Sequence, residues 1–286
     1  MEGLECGVAE TELVRFGYAR AGHGPPVLLL PGSGGWELTF HALLPQLAVD
    51  HTVYAVDPPG QGGTRVVSNS FGYDVDAIVQ SLVDFLDAVG LSEVIVVGHS
   101  WGGGFALRLV ELFPDRIRRL VLLAPAGLTV RDVWEFRALR VPVVGEVAAR
   151  FTTNAAVRHM LHKSFVDADR LPSPELTRTA ARTLRSRPGL RRDLLRVERT
   201  VKWTATERDL GLVRSPVLIV WGARDRYFPV RLIDRFTSAL PHVRTEVIAD
   251  AGHSVHDDRP AQAVPLVRQF LTGTSRTTLR DEARQR

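Results

Sequence analysis

The sequence predicts an α/β protein: a mostly parallel central sheet with helices on both faces and an all-helical cap insertion. Three observations carry this. Short, continuous apolar runs rich in β-branched residues alternate with segments of helical period, as buried parallel strands do with their crossover helices. The runs pass directly into loops rather than into hairpin turns. The alternation then stops between residues 128 and 209, where the pattern is helical and rich in arginine and leucine.

The strands fall on "PPVLLLPG" (25–32), "HTVYAVDPPG" (51–60), "EVIVVGHS" (93–100), "IRRLVLLAPAG" (117–127), "SPVLIVWGARD" (215–225) and "VRTEVIADAGH" (243–253). Between them "DVDAIVQSLVDFLDAVG" (74–90) is an amphipathic helix, with Asp74 placed to cap its start and Gly90 to end it in a left-handed conformation. "GGGFALRLVELFP" (102–114) is a second helix, stopped by Pro114. "AQAVPLVRQFLTG" (261–273) is the last, with Pro265 expected only near its first turn. Turn signals at "RVPVVGE", "LPSP" and "SRPG" divide the interrupting stretch into several helices. An insertion at that point belongs above the carboxyl edge of the sheet, where such folds keep their sites. The expected organisation is a core of residues 1–127 and 210–273, a helical cap at 128–209, and a polar, flexible tail at 274–286.

A chain of 286 residues, 45% of them hydrophobic, can bury the core this architecture needs. The single cysteine, Cys6, excludes an internal disulfide. The start, "MEGLECGVAE", has neither the basic nor the apolar region of a signal peptide, and no apolar run is long enough to span a membrane. A soluble, cytoplasmic protein is expected. The pI of 9.7 reflects a net charge of only +4. Residues 131–209 hold 17 basic and 10 acidic side chains, so +7 lies there and −3 on the remainder. A solvated helix face accounts for the arginines, and a rim for an anionic substrate or an acidic carrier protein is the sharper alternative. No basic motif interleaved with aromatics points to nucleic acid.

The chemistry concentrates at Gly98-His99-Ser100-Trp101-Gly102, a G-x-S-x-G stretch between a buried strand and a helix. A serine in so tight a turn stays uncovered, and glycines at 98 and 102 avoid collision with neighbouring backbone. The helix that follows turns its amides and positive dipole end toward developing negative charge. A serine hydroxyl needs a base held by a third group. His253 follows the last strand and reaches the same sheet edge; His256 is its rival, while His99 is expected to point elsewhere. Asp225, just beyond a strand end, is placed to orient the imidazole, whereas Asp250, Asp257 and Asp258 suit local loop roles. Two amides must face the oxyanion: that of Trp101, and one from "PGSGG" (31–35), with Ser33 chosen and Gly34 the fallback. That glycine run has neither a P-loop lysine nor G-x-G-x-x-G spacing. Asp57 in "DPPGQGGT" reads as part of a rigid turn beside the site. No metal-ligand spacing occurs, and no cofactor is expected.

Taken together, "PGSGG", "DPPGQGGT", "GHSWGG", "WGARDRYFP" and "AGHSVHDDRP" resemble the α/β-hydrolase superfamily, in its cap-bearing serine hydrolase branch, over residues 12–272. The resemblance implies Ser100 as nucleophile, His253 as base, Asp225 as its orienter, and the amides of Ser33 and Trp101 as oxyanion hole. It departs from the family at Pro31-Gly32, where the family usually has His-Gly. Gly34 and, from the interrupting stretch, Trp134, Phe136, Phe151, Met160, Phe165 and Trp203 are candidates to line an apolar substrate pocket, each of the six large side chains weighed against a place in the core. Dehalogenases and epoxide hydrolases of this superfamily carry aspartate where this chain has Ser100. The leading expectation is therefore a serine hydrolase acting on an ester or thioester of a largely apolar acyl group. The alternatives are a C–C bond hydrolase or a non-hydrolytic biosynthetic enzyme using the same Ser/His pair, and a ligand receptor of the same fold.

Overall fold

The computed structural model describes residues 3–130 and 133–273. The tail expected at 274–286 lies outside the described residues. Nine strands form one sheet: β1 (Glu5–Glu10), β2 (Val14–Ala21), β3 (Pro26–Leu30), β4 (Thr52–Val56), β5 (Arg65–Val66), β6 (Val94–His99), β7 (Ile117–Leu123), β8 (Val217–Gly222) and β9 (Val243–Ile248). Their spatial order is β1-β2-β4-β3-β6-β7-β8-β9, with β5 against β2. The six strands from β4 to β9 along this path are parallel, and β2 runs antiparallel to β1, β4 and β5. All six parallel strands coincide with the apolar runs of the sequence. The hairpin β1–β2 is an addition to them.

The helices among the described residues are, in order, α1 (Trp36–Thr39), α2 (Leu43–Leu47), α3 (Val75–Ala88), α4 (Trp101–Leu112), α5 (Trp134–Arg140), α6 (Val144–Arg150), α7 (Asn154–Ser164), α8 (Pro174–Ser186), α9 (Pro188–Thr200), α10 (Thr204–Asp209), α11 (Ile233–Ala239), α12 (Val255–Asp258) and α13 (Pro260–Leu271). Continuous apolar strands work here because both faces are covered. Leu28 and Leu30 of β3 join one core with Val96 of β6 and with Ile78 and Phe105 of α3 and α4. Val27 and Leu29 face the other way, into a second core with Val97, Leu43 of α2 and Val267 of α13. Asp74 caps α3 by accepting from Ala77 N at 2.9 Å, and Gly90 closes it at φ 73. Pro265 sits beyond the first turn of α13, later than expected. Both it and Ala261, whose carbonyl it leaves without a helical donor, are exposed, so that carbonyl lies open to solvent.

Between β7 and β8 the described residues contain helices and no strand, from α5 to α10. This segment is fastened to the sheet layer by Asp258, whose carboxylate accepts from Val166 N, Asp167 N and Gly252 N at 2.7–3.0 Å. From the later half of α4, Arg108 holds Asp76 of α3 and Asp209 of α10.

Candidate active site

β6 ends at His99 and α4 begins at Trp101, so Ser100 alone makes the turn between them. Its backbone is strained, at φ 52 and ψ −120. The strain is held in place by four backbone bonds: Ser100 N donates to Leu123 O at 3.0 Å, and its carbonyl accepts from Gly103, Gly104 and Ala126. Glycine is required on both sides. A Cβ at Gly98 would stand 2.5 Å from Gly102 O, and one at Gly102 would collide with the Leu30 carbonyl. Helical bonding in α4 starts at Gly103, which leaves the Trp101 amide ahead of the ladder, next to Ser100.

Asp225 lies in the loop after β8 with its side chain fully shielded from solvent. Its Oδ1 accepts from Tyr227 N at 2.7 Å and Phe228 N at 2.9 Å. Its Oδ2 accepts from Trp221 Nε1 at 3.1 Å and lies 2.8 Å from His253 Nδ1. A carboxylate so placed requires the proton on Nδ1, which leaves the Nε2 lone pair of His253 available as a base. The imidazole is packed among the rings of Tyr227, Phe228 and His99.

The two other histidines near the site are spoken for. His99 Nε2 lies 3.2 Å from the His253 carbonyl, which only accepts, so the Nε2 proton is donated there. Burial, with His253 and His256 nearby, holds the His99 imidazole well below its usual range and therefore neutral. His256 is buried against the Thr39 carbonyl at 2.5 Å, and burial lowers it to about 3. Asp257 accepts from Ala42 N at 2.9 Å, and Asp250 pairs with Arg259 at 2.8 Å.

Ser100 and His253 line one narrow cavity with Ser33, Leu38, Thr39, His99, Phe136, Met160, Leu161, Ser164, Tyr227, Phe228 and Ser254. Its walls are the loops after β3, β6, β8 and β9 on one side, and α5 and α7 on the other. No hydrogen bond joins the Ser100 hydroxyl to the His253 ring among the described residues. The two side chains border the same space. Of the loop after β3, Ser33 reaches the cavity and Gly34 does not. That loop is braced by Asp57, which accepts from Trp36 N at 2.9 Å and Gly63 N at 2.8 Å. Burial pushes the Asp57 carboxyl up to about 6, and these two amides pull against it.

Of the expected pocket residues, Phe136 and Met160 line the cavity and five, Gly34 among them, do not. Trp134 is 68% exposed: two residues before Phe136 on α5, it projects from the opposite side of the helix. Phe151, just past α6, is 65% exposed. Trp203 packs against Trp101 and Phe105, in a notch that Gly104 leaves open. Phe165 is buried where its backbone meets Gly252, outside the cavity wall. Tyr227 and Phe228, not selected from the sequence, stand two and three places after Asp225, and that proximity was the available signal. Ser254, directly after His253, carries the same sign, whereas Leu38, Thr39, Leu161 and Ser164 carry none. Among the described residues no group of three or more His, Cys, Asp or Glu side chains is placed to hold a metal.

The family model for the alpha/beta hydrolase fold matches residues 25–260. An uncharacterized protein of Mycobacterium tuberculosis is 29% identical over 281 residues, covering 90% of this chain and 80% of the relative. A 2-hydroxy-6-oxo-2,4-heptadienoate hydrolase of Pseudomonas putida is 28% identical over 274 residues, covering 87% and 90%. Among solved structures, naproxen esterase from Bacillus subtilis superposes with a TM-score of 0.79 at 20% identity, over 94% of this chain and 91% of that one.

Proposed function

The chain belongs to the α/β hydrolase family, and from that premise we propose that it is a serine hydrolase cleaving a carboxylic ester or thioester of a largely apolar acyl group. One observation carries the reading: a serine strained into the turn between β6 and α4 shares a cavity with an imidazole whose far nitrogen is held 2.8 Å from a shielded carboxylate.

Ser100 Oγ attacks the substrate carbonyl while His253 Nε2 takes its proton. Asp225 stabilises the imidazolium that forms. The amides of Trp101 and Ser33 receive the carbonyl oxygen as it becomes an oxyanion, with Asp57 holding the second loop to its place. The leaving alcohol or thiol carries away the proton from His253, and water repeats the sequence on the acyl-serine. The Ser100 hydroxyl turns to His253 Nε2 as substrate seats it, since catalytic hydrogen bonds tighten in the Michaelis complex. Leu38, Phe136, Met160, Leu161 and Phe228 supply an apolar wall for the acyl chain. The helices between β7 and β8 act as a cap, and α5 and α7 make its contribution to that wall.

A fluorophosphonate probe should label the wild-type protein and not Ser100→Ala. The same substitution should lower kcat on activated esters by on the order of 10⁴–10⁶-fold. A wild-type protein that resists the probe would refute the reading. A second reading, hydrolysis of a C–C bond, is favoured by the likeness to the 2-hydroxy-6-oxo-2,4-heptadienoate hydrolase of Pseudomonas putida. Faster turnover of a vinylogous β-diketone than of any ester in a graded acyl panel would establish it instead.

A further inference from the structure

Six of the twelve large apolar side chains exposed among the described residues fall between residues 134 and 151. They are Trp134, Val141, Val143, Val144, Val147 and Phe151, too close together to be ordinary surface scatter. The local structure turns them outward as a set. Helix α6 buries only Gly145 and Ala149, so Val144, Val147 and Phe151, spaced three and four apart, share its outer side. Val143 enters that helix at φ 69, a conformation that a β-branched residue adopts only under constraint. Helix α5 packs beside α6 and adds Trp134.

Among the described residues, the acidic side chains of this surface are each matched by a cation. Both carboxylates of the two helices are already held, Glu135 by Lys163 at 2.8 Å and Glu146 by both terminal nitrogens of Arg199 at 2.8 and 2.9 Å. Arg137 and Arg150 are exposed, the Arg150 guanidinium lies 6.0 Å from the Phe151 ring centroid, and Arg185 reaches the carbonyl of neighbouring Thr152. Residues 131–209 carry +7 while the rest of the chain carries −3.

We propose that this face docks on the surface of an anionic phospholipid bilayer, with Trp134, Val143, Val144, Val147 and Phe151 entering the headgroup boundary and the arginines meeting lipid phosphates. Aromatic and branched aliphatic side chains bordered by guanidinium groups are the chemistry of interfacial binding. No helix among the described residues is long and apolar enough to cross a membrane, so the contact is peripheral. A second copy of the chain fits the face poorly. A two-fold contact would press these arginines against their own kind, with the local carboxylates already used. The same helix that offers Trp134 to lipid lines the cavity with Phe136, so docking sets the membrane against the outer wall of the site.

Flotation of the full chain with vesicles tests this. Wild type should float with phosphatidylcholine vesicles containing about a third phosphatidylglycerol, and about tenfold less with phosphatidylcholine alone. Val144→Asp/Val147→Asp/Phe151→Ser and Arg150→Glu/Arg185→Glu should each lose about tenfold in vesicle-bound fraction. Because these positions are on the surface, melting temperature and fluorophosphonate labelling should stay at wild-type values, which separates failed docking from failed folding or chemistry. Three results would overturn the proposal: wild type left unbound, binding equal on both vesicle types, or variants that float like wild type. So would a wild-type dimer in solution that the triple variant converts to monomer, since a second copy would then be what covers the face.

Discussion

Asp57 and Asp225 are both shielded carboxylates in loops after strands, yet they do different work. Asp225 accepts three N–H groups besides lying against His253, and so fixes which imidazole nitrogen carries the proton. Asp57 has two backbone amides and no cation against it, and burial raises its carboxyl from 3.8 to about 6. The folded chain therefore binds the Asp57 proton more tightly than the unfolded chain does. Stability from this group is complete below about pH 4 and is lost as pH rises through about 6. Two pK units correspond to about 3 kcal/mol. Urea midpoints from about pH 4 to pH 7 should show wild type losing that much relative to Asp57→Asn. A difference that stays level, or grows with pH, would contradict the burial account. At this scale Ser100, His253 and Asp225 could be picked out because each sits beside a strand end in a short, distinctive stretch. The bracing role of Asp57 was only half legible: its loop announces rigidity, but the amide of Trp36 that it holds lies 21 residues away.

The strand–serine–helix turn is the element on which the site is built. Its glycines are positions where two backbones nearly touch, so a methyl group cannot be absorbed by a side chain moving aside. Gly102→Ala sets a Cβ against the Leu30 carbonyl of β3 and should cost about 3 kcal/mol or more, with loss of probe labelling in whatever folds. Denaturant midpoints read this directly; a variant as stable and reactive as wild type would mean the turn is looser than described. The six parallel strands were legible because burial on both faces writes them as unbroken apolar runs. The β1–β2 hairpin was not. It lies at the sheet edge, and "ECGVAE" and "VRFGYARA" mix charge and glycine into every second or third position. Such a pattern speaks for exposure before it speaks for a strand.

For the whole molecule, the cavity exists only because the helical segment closes over the loops of the sheet. Tyr227 OH donates to Met160 O at 3.0 Å across 67 residues of sequence. Which of these side chains face inward is decided by that docking, so the sequence alone offered no way to separate Phe136 and Met160, which line the cavity, from Trp134, Phe151, Phe165 and Trp203, which do not. Phe136→Ala should cut back the wall that α5 contributes, enlarge the cavity and shift the preferred acyl chain by several carbons, seen as a change in the rank order of kcat/KM over an ester series. An unchanged rank order would place the acyl group away from α5. In the proposed mechanism the carbonyl carbon of the substrate becomes bonded to Ser100 Oγ. Acid-quenching the enzyme during turnover of an activated ester and weighing its peptides should show an added acyl mass on the peptide containing Ser100, absent in Ser100→Ala. Steady turnover with that peptide unmodified, or the mass found on another residue, would rule the mechanism out.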